Sequence, residues 1–250
     1  MAAAVAIAFL GGLVAGSFVT VVAHRVPRGE SIIGPRSRCP GCGAQIAAYD
    51  NVPVVSWALL RGRARCCGAT ISPRYPLTEL ALGVLYAATV LVLWGNGGEI
   101  ALGLVFVTTL LAVTLTDLEQ RLIPNKTLLV AAILGAVLAA ATDPGSLPER
   151  IVAAVAAGGL LFLVALAYPR GMGLGDVKLA ATMGLFLGRN VAPAIVVALL
   201  AGSLVGLAMI AREGVAARKR AIPFGPFLAL GGVVGLLAGD QIVDWYLGTF

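Results

Sequence analysis

Gly171-Met172-Gly173-Leu174-Gly175-Asp176-Val177-Lys178 is a polar, glycine-rich interruption carrying one carboxylate between two strongly apolar segments. An ionisable side chain at the edge of an apolar region is expensive to place, so it marks a functional site by default. Its candidate partner is Asp117, in Thr116-Asp117-Leu118-Glu119-Gln120-Arg121-Leu122-Ile123-Pro124-Asn125, a second short polar break between apolar runs. Reading both breaks as turns at the ends of membrane spans decides the fold.

Composition points the same way. The chain is 59% hydrophobic and 12% charged, with a mean hydropathy of +0.96, whereas charged residues make up about 25% of an ordinary soluble domain. A net charge of +6 raises nucleic acid as a partner. The basic residues, however, lie between apolar segments, where membrane topology explains them. The lipid bilayer is therefore the expected partner, and nucleic acid is not. Residues 2–22 lack a basic leading region and a cleavage signature, so they read as a retained first span rather than a signal peptide.

A span needs about 20 apolar residues. By that measure the spans are 3–23, 77–94, 100–116, 127–142, 151–168, 178–188, 191–211 and 227–247. The expected fold is all-α: a polytopic membrane helical bundle of about eight transmembrane helices. Residues 1–23 form the first helix, 24–76 a small cytoplasmic cysteine-containing loop domain, and 77–250 the membrane core. The sixth segment is short and reads as a broken or tilted helix completed by the glycine stretch, since irregular backbone is tolerated where it lines a protein cavity.

Lys and Arg accumulate in cytoplasmic loops. With the N-terminus outside, the inner segments hold Arg25, Arg28, Arg36, Arg38, Arg61, Arg63, Arg65 and Arg74, then Arg121 and Lys126, Arg170 and Lys178, and Arg212, Arg218, Lys219 and Arg220. That is sixteen of the eighteen basic residues, leaving Arg150 and Arg189 outside. Merging the sixth and seventh segments would send the 218–220 cluster to the opposite face. The eight-span reading also puts Asp117 and Asp176 at the same, cytoplasmic, face.

Two carboxylates held close together ionise one at a time, so one keeps a proton while the other acts as a base. That arrangement activates water against a peptide carbonyl and protonates the leaving amine. Gly173 and Gly175 add no side-chain bulk and admit an extended substrate backbone beside Asp176. Lys178 is a substrate contact, an interfacial anchor or a partner of Asp176. The plainer alternative is that both acids are helix or turn caps. A proton-coupled transporter using the two acids as a relay is the rival function. Both acids at one face, with no evident inverted repeat, speak against it.

Cys39-Pro40-Gly41-Cys42-Gly43 has the spacing of a zinc knuckle. Cys66 and Cys67 follow 24 residues after Cys42, and an adjacent pair makes an irregular second half. In a cytoplasmic loop, metal binding is favoured over disulfides. Cys39, Cys42, Cys66 and Cys67 are the candidate zinc ligands, and His24 reads as interfacial.

Together these residues resemble the type IV prepilin peptidases, membrane aspartic proteases of the Gly-x-Gly-Asp type. The resemblance runs from Gly16-Ser17-Phe18-Val19-Thr20-Val21-Val22-Ala23-His24-Arg25-Val26-Pro27 through Arg36-Ser37-Arg38-Cys39-Pro40-Gly41-Cys42 and Tyr49-Asp50-Asn51-Val52-Pro53-Val54-Val55-Ser56-Trp57. It continues through Leu60-Arg61-Gly62-Arg63, Ile71-Ser72-Pro73-Arg74-Tyr75-Pro76 and both carboxylate motifs, and closes with Ile222-Pro223-Phe224-Gly225-Pro226-Phe227. It implies that Asp117 and Asp176 are a catalytic pair cutting leaders from prepilins and pseudopilins at the cytoplasmic face of the bacterial inner membrane. In the bifunctional branch, which carries the long cysteine loop, it also implies methylation of the new N-terminus with S-adenosylmethionine. One departure stands out. Where the family has Cys-x-x-Cys as its second pair, this chain has Ala64-Arg65-Cys66-Cys67, with Ala64 in place of the first cysteine.

Overall fold

The computed structural model describes residues 1–34, 37–169, 171–214 and 222–249. Arg36, Arg170, Arg218, Lys219 and Arg220, which enter the charge argument, lie outside the described residues.

Among the described residues the regular structure is helical, with two isolated antiparallel bridges and no strand. In order come α1 (Ala2–Arg25), α2 (Val55–Leu59), α3 (Arg74–Val92), α4 (Gly97–Gln120), α5 (Asn125–Thr142), α6 (Leu147–Ala167), α7 (Leu174–Leu187), α8 (Val191–Glu213) and α9 (Gly225–Leu247). The chain divides into two compact units, Met1–Trp94 and Gly95–Phe250. Among the described residues, seven stretches are long and apolar enough to cross a membrane. One of them, Leu174–Glu213, contains both α7 and α8.

Within the first unit, α1 lies along α3 at glycine contacts. A Cβ on Gly12 would sit 2.6 Å from the Leu82 carbonyl oxygen, and one on Gly16 would sit 2.7 Å from the Glu79 α-carbon. Small residues of this kind let helix backbones approach where lipid supplies no hydrophobic drive between helices. Ile7, Leu10 and Val14 remain exposed, as suits a surface that meets acyl chains.

The second unit carries the larger core, with Leu102, Phe106, Leu110 and Val113 of α4 packed against Leu179, Met183 and Phe186 of α7 and Leu228 of α9. The Phe106 and Phe186 rings stack at 5.1 Å. Neighbours along α7 and α8 show that the two helices run in opposite directions. On α7, Gly175 faces Ile123 near one end of the bundle, and Leu187 reaches Gly235, well along α9. On α8, Asn190 just before its start meets Gly239, Ala194 meets Gly231, and Gly202 meets Phe224 ahead of α9. The turn between them is made at Gly188, whose φ of +54° and ψ of −134° are open to glycine and strained for other residues. The stretch expected as the sixth and seventh spans thus holds two antiparallel helices. At 14 residues α7 is short, about 21 Å long at 1.5 Å per residue.

Most helix ends lie one to four residues from the hydropathy bounds, and at the two ends that carry the acids the helix extends four residues further for one reason. Loss of apolar character marks where a helix leaves the hydrocarbon, and backbone hydrogen bonding continues past it. So α4 runs on through Asp117 to Gln120 and stops where Arg121 turns left-handed, at φ +52°. Likewise α7 begins at Leu174 rather than 178, inside the glycine stretch. At the far end, buried Arg150 donates to the Phe186 carbonyl in the last turn of α7 and pairs with Glu99. The Glu149 carboxylate accepts the Arg189 N–H at 2.8 Å.

Packing of α6 on α7 rests on Gly184, where a Cβ would lie 2.5 Å from the Ala153 backbone. Gly184→Val is expected to lower thermal stability in detergent by about 3 kcal/mol through overpacking. Gly206→Ala, with nothing within 4 Å of the added carbon, is expected to leave the melting temperature unchanged or slightly raised.

Candidate active site

Asp117 lies in the last turn of α4 and Asp176 in the first turn of α7, at the end of the second unit where α9 also begins. Both are buried, with 6% and 8% of their surface exposed. Each is held by one backbone donor. Oδ2 of Asp117 accepts the Gly225 N–H at 2.9 Å, and Oδ2 of Asp176 accepts the Gly173 N–H at 3.1 Å. The second contact caps α7: Gly173 is its N-cap residue and Asp176 its third helical position, so the carboxylate reaches back to an otherwise orphaned N–H. The two carboxylates are close enough to interact electrostatically, and the Arg121 guanidinium is within such range of Asp117.

The remaining predicted residues have definite places. Gly175 turns its bare α-carbon to Ile123, where a Cβ would lie 3.1 Å from the side chain. Lys178 donates from Nζ to Asn125 Oδ1 at 2.9 Å, tying α7 to the first residue of α5. Glu119 is exposed. Two residues were passed over in the sequence. Gln120, one turn beyond Asp117, has a buried Nε2 without a hydrogen-bond partner among the described residues. Gly225 stood in a quoted motif, but nothing local tied it to an acid 108 positions earlier.

The cysteine domain of the first unit is built from two knuckles of one design. In the first, the Cys39 N–H donates to the Ala44 carbonyl and the Gly43 N–H to the Cys39 carbonyl, both at 2.8 Å, beside the Arg38–Gln45 bridge. In the second, the Ala64 N–H donates to Ala69 and the Gly68 N–H to Ala64, again at 2.8 Å, beside the Arg63–Thr70 bridge. Gly43 and Gly68 take matching left-handed conformations, at φ +72° and +70°. Superposing the two motifs puts Cys67 where Cys42 stands, Ala64 where Cys39 stands and Cys66 where Gly41 stands. The thiol absent at Ala64 is therefore supplied from the tip of its own knuckle, which resolves the irregular spacing.

All four sulfurs lie within 4.8 Å of one another, with Cys39–Cys67 at 3.5 Å and Cys42–Cys66 at 3.3 Å. A tetrahedral zinc with Zn–S bonds of about 2.3 Å spaces its sulfurs about 3.8 Å apart, so the donor set fits. The N–H groups of Gly41 and Cys42, aided by the Cys67 thiol, draw the Cys39 thiol down to about 6. Hydrogen bonding to Cys42 and Cys39 pushes Cys66 up to about 12. Around the thiols, Arg65 forks onto Asp50 and Trp57 Nε1 donates to the Ile71 carbonyl. The buried Glu79 of α3 accepts the Val54 N–H at 2.7 Å. His24 contacts Arg28 rather than the sulfurs.

Comparison with known proteins extends over nearly the whole chain. Residues 10–93 match the bacterial peptidase A24 N-terminal domain, and residues 104–211 match the type IV leader peptidase family. The prepilin leader peptidase/N-methyltransferase of Aeromonas hydrophila is 34% identical over 97% of this chain and 93% of its own length. The chain belongs to the type IV leader peptidase family. Proteins of the same name from Bacillus subtilis (strain 168) and Pseudomonas aeruginosa are 35% and 33% identical, over 96% and 94% of this chain and 97% and 91% of theirs. No solved structure matches. Membership makes the chain a hydrolase, a multi-pass leader peptidase of the bacterial inner membrane. Nothing in the comparisons supports the transporter alternative.

Proposed function

We propose that Asp117 and Asp176 are the catalytic carboxylates of an aspartic endopeptidase that removes the leaders of prepilins and pseudopilins at the cytoplasmic membrane face. The observation that carries this reading is the placement of two buried acids, 59 residues apart in sequence, at the one end of the bundle where α4 ends and α7 and α9 begin. Acids in an apolar bundle are retained for function. The ionised member takes a proton from water as the water oxygen adds to the scissile carbonyl carbon. The protonated member then gives its proton to the departing amine as the C–N bond breaks. Gly173, whose N–H is committed to Asp176, gives the extended leader a surface bare of side chain. With its bare face filled by Ile123, Gly175 contributes main-chain contact rather than empty space. We assign Lys178, held at Asn125, as a further contact for the leader. The distribution of Lys and Arg supports an N-terminus outside, with the cysteine loop and both acids inside.

The relatives' names carry a second activity. We assign to this chain transfer of a methyl group from S-adenosylmethionine to the new N-terminal amine. The open cavity lined by Met1, Phe9, Leu10, Ala87 and Leu91 is apolar and does not suit the ribose hydroxyls and carboxylate of that donor, so methyl transfer takes no step through it. Cys39, Cys42, Cys66 and Cys67 would hold a zinc ion, which would supply a structural cross-link between the knuckles and no chemistry for peptide cleavage.

Two outcomes follow. Asp117→Asn and Asp176→Asn should each fold normally and slow cleavage of a co-expressed prepilin by about 1,000-fold or more, in line with removal of a general acid or base. Wild-type cleavage by either variant would sink the pair. Purified protein should carry about one zinc, lose it in Cys66→Ser and keep it when Ala64→Cys is combined with Cys66→Gly, which restores the regular second knuckle. Metal analysis finding no zinc in the wild-type protein would remove that assignment.

A further inference from the structure

The motif Phe224-Gly225-Pro226-Phe227 is not used by the cleavage chemistry as stated, yet it opens α9 against Asp117. The first N–H donors of that helix explain why. Pro226 has no N–H. Those of Phe227 and Leu228 are both taken up by the Phe224 carbonyl, at 3.0 and 3.1 Å. The Gly225 N–H is the donor left over in this turn, and it goes to Oδ2 of Asp117. The same residue meets a steric demand. A Cβ at position 225 would lie 2.7 Å from that Oδ2 and 3.1 Å from the carboxyl carbon. The position thus needs an N–H, which excludes proline, and no side chain, which leaves glycine.

Contacts away from the acid hold this turn in place. The Phe224 and Phe227 rings, 6.2 Å apart, close over Gly202 of α8, where a Cβ would lie 3.2 Å from Phe224. Further along, Gly231 and Gly235 seat α9 against Ala194. The start of α9 is therefore anchored to α8, and its free N–H reaches the acid from a fixed support. Among the described residues, Asp117 has no other protein hydrogen bond to set the rotation of its carboxylate.

We infer that Gly225 is the positioning residue for Asp117: its N–H fixes Oδ2, its bare α-carbon keeps the carboxylate's seat open, and Oδ1 is left for the reaction. This rests on the catalytic reading of Asp117 and adds a third sequence element to the site.

The test combines kinetics with a stability cycle on the full-length protein. Gly225→Ala should lower kcat for prepilin cleavage by about 100-fold, as a displacement near 1 Å does at a reacting group, with KM changed less than about twofold because ground-state binding is untouched. The same alanine should lower the melting temperature of the wild-type protein but not that of an Asp117→Ala background, where the carboxylate it collides with is gone. If Gly225→Ala alone does not fold, the double variant should. Unchanged kcat in Gly225→Ala, or an equal loss of stability in both backgrounds, overturns the inference. Failure of the underlying reading looks different: Asp117→Asn would then cleave at the wild-type rate, while the stability cycle would report on the Gly225 contact independently.

Discussion

Burying a carboxylate in an apolar bundle is feasible only where hydrogen-bond donors reach it, and here each acid is reached by the N–H of a glycine at the start of a helix. A hydrogen bond to a charged group contributes about 1.5–3 kcal/mol, and an unsatisfied buried charge is far more costly. Topology follows from this demand. Asp176 receives its donor from the start of its own helix, but Asp117, at the end of α4, needs a different helix to begin beside it. If α7 and α8 formed one continuous crossing, α9 would begin at the other end of the bundle and Gly225 would be a bundle length away. The reversal at Gly188 is what returns the chain to the acid end in time to start α9 there.

The reversal in turn depends on close packing. A helix as short as α7 has few side chains with which to hold its place, and lipid gives no hydrophobic drive toward its neighbours. Backbone approach at Gly158 and Gly184 fixes it on α6, and the Phe106–Phe186 stack fixes it on α4. Arg150 closes the far end by satisfying a carbonyl in its last turn. The acid end and the Arg150 end are therefore two terminations of the same short helix, one built for chemistry and the other for retention.

Much of this was legible in the sequence because membrane spans are written in long apolar runs and in the placement of Lys and Arg. The eight segments, the short sixth one and the placing of Asp117 and Asp176 at the same end of the bundle all come from that level. What hydropathy could not register was hydrogen bonding beyond the apolar edge: Asp117 lies inside a helix rather than in a break, and Leu174–Val177 is helical although it reads as a glycine loop. A local signal did exist at Gly173 and Asp176, whose spacing is that of an N-cap and its third helical residue. Cys66 and Cys67, being adjacent, made an irregular second half of the knuckle pattern. In the knuckle Cys66 occupies the tip position of Gly41, a correspondence that appears only when the two turns are compared bond by bond. Gly225 was beyond reach for another reason, since a contact across 108 residues leaves no periodicity to read.

The central claim is that the ends of α4 and α7 bring positions 117 and 176 together in the folded membrane protein, and a direct distance measurement tests it without relying on activity. Asp117→Cys and Asp176→Cys would be introduced together, the membranes treated with a short thiol-to-thiol crosslinker, and the digested protein read by peptide mass. The account predicts a crosslink joining the peptides that contain positions 117 and 176. Recovery of both thiols singly modified, with no linked peptide, would contradict it.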